Sequence, residues 1–129
     1  MVNEGSDEVI IDYEKMGHKI QVYKVDRGVE VVRKGSILFQ SRRALLMYEN
    51  GHDPVYYIPK ADVPEQFLEA TETKTKCPFK GTANYYNLKV DGETLSDSVW
   101  QYLESKDEFR AIREYVAFYP SSIDGINIV

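Results

Sequence analysis

Short strand-like segments joined by tight turns are the feature that most constrains how this chain can fold. Segments 29–33 and 36–40 flank the dipeptide Lys34-Gly35, and glycine accepts a positive φ angle at little cost, which favours a hairpin there. Segment 83–90 is also strand-like and ends at Asp91-Gly92. Roughly eight strands of this kind can be counted, which predicts a mainly β domain with antiparallel, hairpin-rich sheets.

Segment 42–49 carries apolar residues on both faces of its predicted strand. Ala44 and Leu46 alternate with Leu45 and Met47, and successive side chains of a strand point to opposite sides of the sheet. We therefore expect this strand to lie inside a sheet and to be covered on both sides.

One segment has the features of a helix start. Asp62 can cap a helix, Pro64 fits its first turn, and Glu65 follows the cap by three residues. These residues predict one short helix over 63–69. Asp107 is placed to cap one further helical turn that ends near Ile112.

Length and composition fit one globular domain. The chain has 129 residues, of which 43% are hydrophobic, so it can bury a core without disulfides or metals. The segment 1–18 has an acidic start and is predicted to be a partly flexible N-terminal lead-in. Residues 19–129 are predicted to form a single β-rich domain.

Charge and residue counts limit the partners that we expect. The net charge is −5, so neither nucleic acid nor a membrane is a predicted partner.

No apolar run approaches the roughly 18 residues of a membrane span, and the start lacks the features of a signal peptide, so a cytoplasmic location is predicted. One cysteine and two histidines are too few for a usual structural zinc site, and no metal or other cofactor is predicted.

The segment Cys77-Pro78-Phe79-Lys80-Gly81 is the densest in residues that could carry chemistry. An ammonium beside a thiol favours the thiolate, so Cys77 could be a nucleophile or a redox thiol that is activated by Lys80. Lys80 could equally bind an anionic ligand, together with main-chain N–H groups near Gly81. In a third interpretation the loop is packed, Cys77 is a small buried hydrophobe, and Lys80 lies in solvent.

Charged and aromatic residues provide further candidates. Arg43 and Glu49 lie on one face of a predicted strand, where an arginine fork and a carboxylate could hold a polar ligand or could be surface charges. Aromatic residues with polar tips are frequent in the predicted strands, where such residues either line a pocket or fill the core. They are Tyr56, Tyr57, Tyr85, Tyr86, Trp100, Tyr102 and Tyr119.

Several of these segments occur in an order that resembles the domain of unknown function 427, a family also labelled nucleotidyltransferase-like. The resemblance covers about residues 29–119, and its most specific element is Cys77-Pro78-Phe79-Lys80-Gly81 followed by Thr82-Ala83-Asn84-Tyr85. The other matching elements are Ser41-Arg42-Arg43-Ala44-Leu45-Leu46-Met47-Tyr48-Glu49, Tyr56-Tyr57-Ile58-Pro59 with Asp62-Val63, Trp100-Gln101-Tyr102 and Val116-Ala117-Phe118-Tyr119.

The resemblance implies a β-tent-like fold, in which two small antiparallel sheets meet at an angle and leave a cleft. It implies no settled activity. Some proteins of that fold hold zinc on cysteine pairs, which the single cysteine of this chain does not provide. We expect the side chains of Arg43, Glu49, Tyr57, Cys77 and Lys80 to border one concave site.

Three functions remain open from the sequence. The first is binding of a polar or anionic small molecule, still unidentified, by Arg43, Glu49, Tyr57, Lys80 and Trp100. The second is an enzyme with Cys77 and Lys80 as its catalytic residues. The third is a protein-interaction module without catalysis. The sequence makes no prediction about the oligomeric state.

Overall fold

The computed structural model describes residues 8–129, and within this range the chain forms eleven β-strands and four short 3-10 helices. The prediction of a mainly β fold is confirmed. In chain order the strands are β1 Val9–Lys15, β2 His18–Lys24, β3 Val29–Arg33, β4 Ser36–Ser41, β5 Leu45–Glu49, β6 Val55–Pro59, β7 Leu68–Cys77, β8 Gly81–Val90, β9 Glu93–Ser105, β10 Tyr115–Phe118 and β11 Gly125–Ile128.

The described strands form two antiparallel sheets. The larger sheet has eight strands in the order β1-β2-β5-β6-β10-β9-β8-β7, and the smaller sheet has three in the order β11-β3-β4. β5 lies between β2 and β6, as the apolar residues on both of its faces predicted.

The segment 9–18, which the sequence assigned to the lead-in, contains an ordered strand. Val9–Lys15 forms β1 and pairs with β2, and Ile11 is buried in the same core as Ile20 and Val22. Residues 1–7 of the predicted lead-in lie outside the described residues.

Three hairpins turn through two residues that both have positive φ angles. The turn at Lys34 and Gly35 has φ angles of +52° and +76°, and the turn at Asp91 and Gly92 has +53° and +74°. Met16-Gly17 forms a similar turn between β1 and β2. Positive φ at both central residues is typical of the type I′ turn, whose twist matches that of the flanking strands. The turns predicted at Lys34-Gly35 and Asp91-Gly92 are therefore confirmed.

The helical segments are shorter than the sequence predicted. Within 63–69 only Glu65–Phe67 is helical, as a single 3-10 turn, and β7 already begins at Leu68. Val63 is extended because proline disfavours the helical conformation in the residue before it. The further turn predicted from Asp107 is present as the 3-10 helix Asp107–Ile112. No helix in residues 8–129 is long and apolar enough to cross a membrane.

Each face of the larger sheet packs against its own apolar core. The first core lies between the larger and smaller sheets, since it joins residues of β3 and β4 to Leu46, Ile58 and Val116. The second core lies on the opposite face and includes Phe109 and Ile112 from the 3-10 helix. The neighbouring residues Leu45, Tyr57 and Ala117 belong to this second core.

The short strand β10 joins the two halves of the larger sheet. Tyr115 and Val116 pair with the end of β6, whereas Ala117 and Phe118 pair with β9. Beyond Val116 the backbone of β10 no longer pairs with β6, so the sheet opens between these two strands. This opening positions the cleft described below.

Gly81 allows the turn between β7 and β8 to approach β9 closely. Its φ angle is +113°, and a Cβ atom at this position would lie 2.6 Å from the carbonyl oxygen of Glu104 and 2.8 Å from the nitrogen of Lys106. The same Lys106 nitrogen donates a hydrogen bond of 2.8 Å to the carbonyl oxygen of Lys80. The turn that carries Lys80 is thus held against β9 by its main chain.

We predict that Gly81→Ala lowers the free energy of unfolding by about 3 kcal/mol, because positive φ and overlap with the backbone each cost about 1–2 kcal/mol. Gly92→Ala is the matched control, since Gly92 has a φ of +74° and a Cβ atom there would have nothing within 4 Å. It should cost only about 1 kcal/mol. Equal losses in urea denaturation would contradict the proposed role of the close approach.

Candidate functional site

An open cleft of about 420 Å³ lies on the face of the larger sheet that carries the second core. Strands β5, β6, β8 and β9 contribute to it, together with the turn before β8 and the segments that follow β5 and β10. Its lining residues are Met47, Glu49, His52, Asp53, Val55, Tyr57, Lys80, Tyr85, Trp100, Tyr102, Tyr119 and Pro120.

A nearly buried ion pair lies in this cleft. Lys80 Nζ donates a hydrogen bond to Glu49 Oε1, and the two side chains are only 10% and 7% exposed. The same Nζ lies 3.9 Å from Met47 Sδ and 5.5 Å from the centre of the Tyr102 ring. An ammonium has three N–H donors, and the described contacts use one for a strong acceptor and one for a weak sulfur acceptor. The ring of Tyr102 lies beside the third.

Two histidines surround the second oxygen of Glu49. His18 Nε2 lies 2.8 Å from Glu49 Oε2, and His52 Nε2 lies 4.0 Å from the same atom. The His18 ring stacks on Phe79 at a centroid distance of 4.1 Å, which connects β2 to the turn that carries Lys80. His52 is 64% exposed and lines the mouth of the cleft.

Glu49 is held in its charged form by these contacts. Burial raises the pKa of Glu49, but the hydrogen bonds from Lys80 and His18 and the electrostatic effects of Lys80 and His52 together outweigh it, and the pKa lies below its ordinary value. Its carboxylate is therefore ionised at neutral pH and neutralises the charge of Lys80. Together the two side chains present charged atoms of opposite sign to the cleft, and their net charge is close to zero.

Aromatic side chains form the walls of the cleft. Trp100 Nε1 donates a hydrogen bond of 3.2 Å to the hydroxyl of Tyr57, which links β9 to β6 across the opening of the sheet. The rings of Trp100 and Tyr119 lie 4.7 Å apart, and Tyr119 stacks parallel to Tyr85 at 6.5 Å. These ring faces provide a surface on which a flat ligand can stack.

Three phenol groups of the cleft, those of Tyr57, Tyr102 and Tyr119, have raised pKa values and remain protonated well above neutral pH. Burial raises the pKa of Tyr57 and that of Tyr102. The hydrogen bond with Tyr85 raises the pKa of Tyr119 to about 12. These three phenols therefore keep their protons, and that of Tyr119 is shared with Tyr85.

Of the six residues to which the sequence assigned a catalytic or binding role, four line the cleft, namely Glu49, Tyr57, Lys80 and Trp100. Cys77 is not among the residues that line the cleft, and its side chain is half-buried against the second core. Its Sγ accepts a hydrogen bond of 3.4 Å from the main-chain N–H of Lys80. The side-chain ammonium of Lys80 instead contacts Glu49 and Met47.

Arg43 lies away from the cleft, contrary to the expectation that it would border the same site. It precedes β5, and its guanidinium Nη2 donates a hydrogen bond of 2.6 Å to Asp62 Oδ1. The Arg43 side chain is 61% exposed, and the ion pair lowers the pKa of Asp62. Arg43 therefore belongs to a solvated ion pair beside the 3-10 turns.

A larger groove of about 760 Å³ lies beside those 3-10 turns. Its charged side chains include Lys60, Asp62, Glu65 and Glu114. Asp62 is already paired with Arg43, and Lys60 lies over the Tyr86 ring at 5.7 Å. The smaller cleft is the better candidate site because it joins an ion pair, hydrogen-bond donors and ring faces.

His18, His52 and Asp53 were not predicted as members of the site. His18 reaches Glu49 because Ile20 pairs with Glu49 across β2 and β5, and no local motif reveals that register. His52 and Asp53 lie in the turn after β5, which a sequence pattern marks only as a turn. Their proximity to Lys80 depends on how the turn before β8 packs against the other half of the sheet.

We predict that Glu49→Gln lowers the free energy of unfolding by about 3 kcal/mol, because it leaves the ammonium of Lys80 buried without a charged partner. The double variant Glu49→Gln, Lys80→Met should recover to within about 1 kcal/mol of the wild type, since it removes both charges. Glu104→Gln breaks the exposed pair with Lys74 and should change stability by less than about 0.5 kcal/mol. A double variant as unstable as the single one would contradict this account.

The contribution of Glu49 to stability should depend on pH. Its folded-state pKa is lowered, so the contribution is fully present above the unfolded-state pKa of about 4.3. It is lost as the pH falls through the folded-state pKa. In urea denaturation the difference between the wild type and Glu49→Gln should therefore shrink below pH ~4; a difference that stays constant would argue against the charged state of Glu49.

Comparisons with known proteins agree with the resemblance inferred from the sequence. The model of the family described as domain of unknown function (DUF427), named NTP_transf_9, matches residues 21–128. No curated protein matches the chain. Within residues 8–129 no group of three or more histidine, cysteine, aspartate or glutamate residues is arranged to hold a metal ion. Since the family model matches most of the chain, the protein belongs to the DUF427 family.

Proposed function

We propose that the cleft binds a small polar molecule that carries a flat ring. The observation that carries this proposal is the nearly buried Glu49–Lys80 pair within an open cleft that has aromatic walls. The cytoplasmic location predicted from the sequence and the β-tent-like fold implied by the family resemblance remain parts of the proposal.

The ion pair fits a binding role better than a purely structural one. Replacing a buried ion pair by apolar residues of similar volume is often neutral or stabilising. Its charged and polar atoms, by contrast, give a ligand fixed donors and acceptors in a partly desolvated setting. The ammonium of Lys80, which lines the cleft, suits a ligand with a carbonyl or other acceptor atom.

The charges of the lining residues favour an uncharged ligand over an anion. Lys80 is neutralised by Glu49, and Asp53 adds a further carboxylate at the cleft. Arg43, which the sequence suggested as an anion-binding residue, is paired with Asp62 elsewhere. An anion would therefore meet a formally acidic set of side chains.

Nucleophilic catalysis by Cys77 has weaker support. The Lys80 ammonium is bonded to Glu49, and the contact between Lys80 and the thiol is through the main-chain N–H. The interaction-module hypothesis has less support than ligand binding as well, because Glu49, Tyr57, Lys80 and Trp100 line one concave cleft.

Benzamide and benzoate are matched probes for this proposal. Both have a ring that can stack on Trp100, whereas only benzoate is charged. Trp100 is the single tryptophan, so its fluorescence and its indole N–H resonance report directly on the cleft. We expect benzamide to bind with a dissociation constant on the order of 1 mM, as is usual for a ligand of this size, and benzoate to bind at least about tenfold more weakly because of the carboxylates.

The double variant Glu49→Gln, Lys80→Met should weaken benzamide binding by about tenfold, since it removes a charged hydrogen-bond donor. Arg43→Gln is the control that leaves the cleft intact, and Cys77→Ala tests the thiol. Both should bind benzamide within about twofold of the wild type. If neither probe perturbs Trp100, the proposal is wrong; a large loss in Cys77→Ala would favour the thiol hypothesis instead.

A further inference from the structure

A second, apolar cavity adjoins the cleft. Its volume is about 240 Å³, and it lies between the start of β6 and the segment that connects β10 to β11. Several of its side chains, among them Tyr56, Ile123 and Ile126, are only partly buried against the first core. The lining residues are Asp53, Pro54, Val55, Tyr56, Trp100, Phe118, Pro120, Ile123, Asp124, Gly125 and Ile126.

The two cavities share a wall. Asp53, Val55, Trp100 and Pro120 line both of them. The Trp100 ring is fixed by its hydrogen bond to the Tyr57 hydroxyl at 3.2 Å. A ligand that stacks on Trp100 from the side of the cleft therefore lies next to the apolar cavity.

The opening of the larger sheet explains why the cavities adjoin. Beyond Val116 the strand β10 leaves β6 and pairs only with β9. Tyr57 faces the cleft, whereas the preceding residue on the strand, Tyr56, faces the apolar cavity. The cavities thus lie on either side of one gap between β6 and β10.

The two cavities differ in chemistry. The cleft contains the Glu49–Lys80 pair, whereas no lysine, arginine or histidine among residues 8–129 lines the second cavity. Of its two carboxylates, Asp124 accepts hydrogen bonds of 2.9 Å from the main-chain N–H groups of Lys34 and Gly35. The remaining surface is largely aliphatic and aromatic, which suits an uncharged apolar group.

We infer that the two cavities form one bipartite site for an uncharged amphipathic molecule. Its polar ring lies in the cleft beside Lys80, and its apolar arm crosses Pro120 and Trp100 to contact Ile123 and Ile126. The inference rests on the proposed function of the cleft and adds the class of ligand. The volume of the second cavity, about 240 Å³, is large enough for a four-carbon arm.

A series of benzamide, 4-ethylbenzamide and 4-butylbenzamide tests this inference by calorimetric titration and by the indole resonance of Trp100. A fully buried methylene tightens binding about fourfold. Because the cavity is open on one side, we expect 4-butylbenzamide to bind about tenfold more tightly than benzamide, with 4-ethylbenzamide between them.

Ile123→Ser should remove this gain and leave the affinity for benzamide within about twofold of the wild type. Ile37→Ser is the matched control, because Ile37 is an exposed isoleucine on β4 and should retain the full gain. Nuclear Overhauser contacts between the butyl chain and the methyl groups of Ile123 and Ile126 give a second measurement that needs no variant.

The outcomes separate the two proposals. Equal affinities across the series overturn the bipartite site but leave the cleft as a binding site. A gain that persists in Ile123→Ser, with no contacts to Ile123 or Ile126, places the arm elsewhere and also overturns it. If no member of the series perturbs Trp100, the proposed function of the cleft fails, and the bipartite site fails with it.

Discussion

The four residues of β10 are the constraint on which the larger sheet depends. Among the described strands they alone join β6 to β9, with two residues pairing on each side, and Val116, Ala117 and Phe118 are also buried. Val116 and Phe118 face the first core, and Ala117 faces the second. One short strand therefore connects both halves of the sheet and both cores, and its early departure from β6 leaves the opening from which the cleft arises.

A second connection between the halves lies at the cleft. Lys80 comes from the turn between β7 and β8, Glu49 from the end of β5, and His18 from the start of β2. A connection made of charged side chains stabilises less than an apolar one of the same size. The charged connection does, however, favour one arrangement of the two halves, because a buried donor that lacks its acceptor costs free energy. This combination gives the cleft its polar atoms without giving it a large net charge.

Tyr57 and Trp100 belong both to the packing of the second core and to the lining of the candidate site. Tyr57 is buried in the second core, and its hydroxyl accepts the hydrogen bond that fixes Trp100. The same two rings line the candidate site. Core packing and this hydrogen bond therefore fix the positions of both rings. Membership of the DUF427 family identifies no ligand, and the chemistry of these side chains is what suggests one.

Local preferences determined the parts of this protein that its sequence predicts. Glycine and its neighbour set positive φ angles in the Lys34-Gly35 and Asp91-Gly92 turns. Alternation in 42–49 identified a strand with two covered faces, although the strand itself begins only at Leu45. Both signals act within a few residues. The grouping of Glu49, Tyr57, Lys80 and Trp100 was anticipated only through motifs of the family. Tertiary structure decided the rest. Within 63–69 only one 3-10 turn forms, and β7 begins at Leu68. Segment 9–18 contains a strand because it pairs with β2, and Arg43 forms an ion pair with Asp62. These outcomes depend on contacts between residues that are distant in sequence, and such contacts override weak local preferences when they bury apolar surface or pair charges.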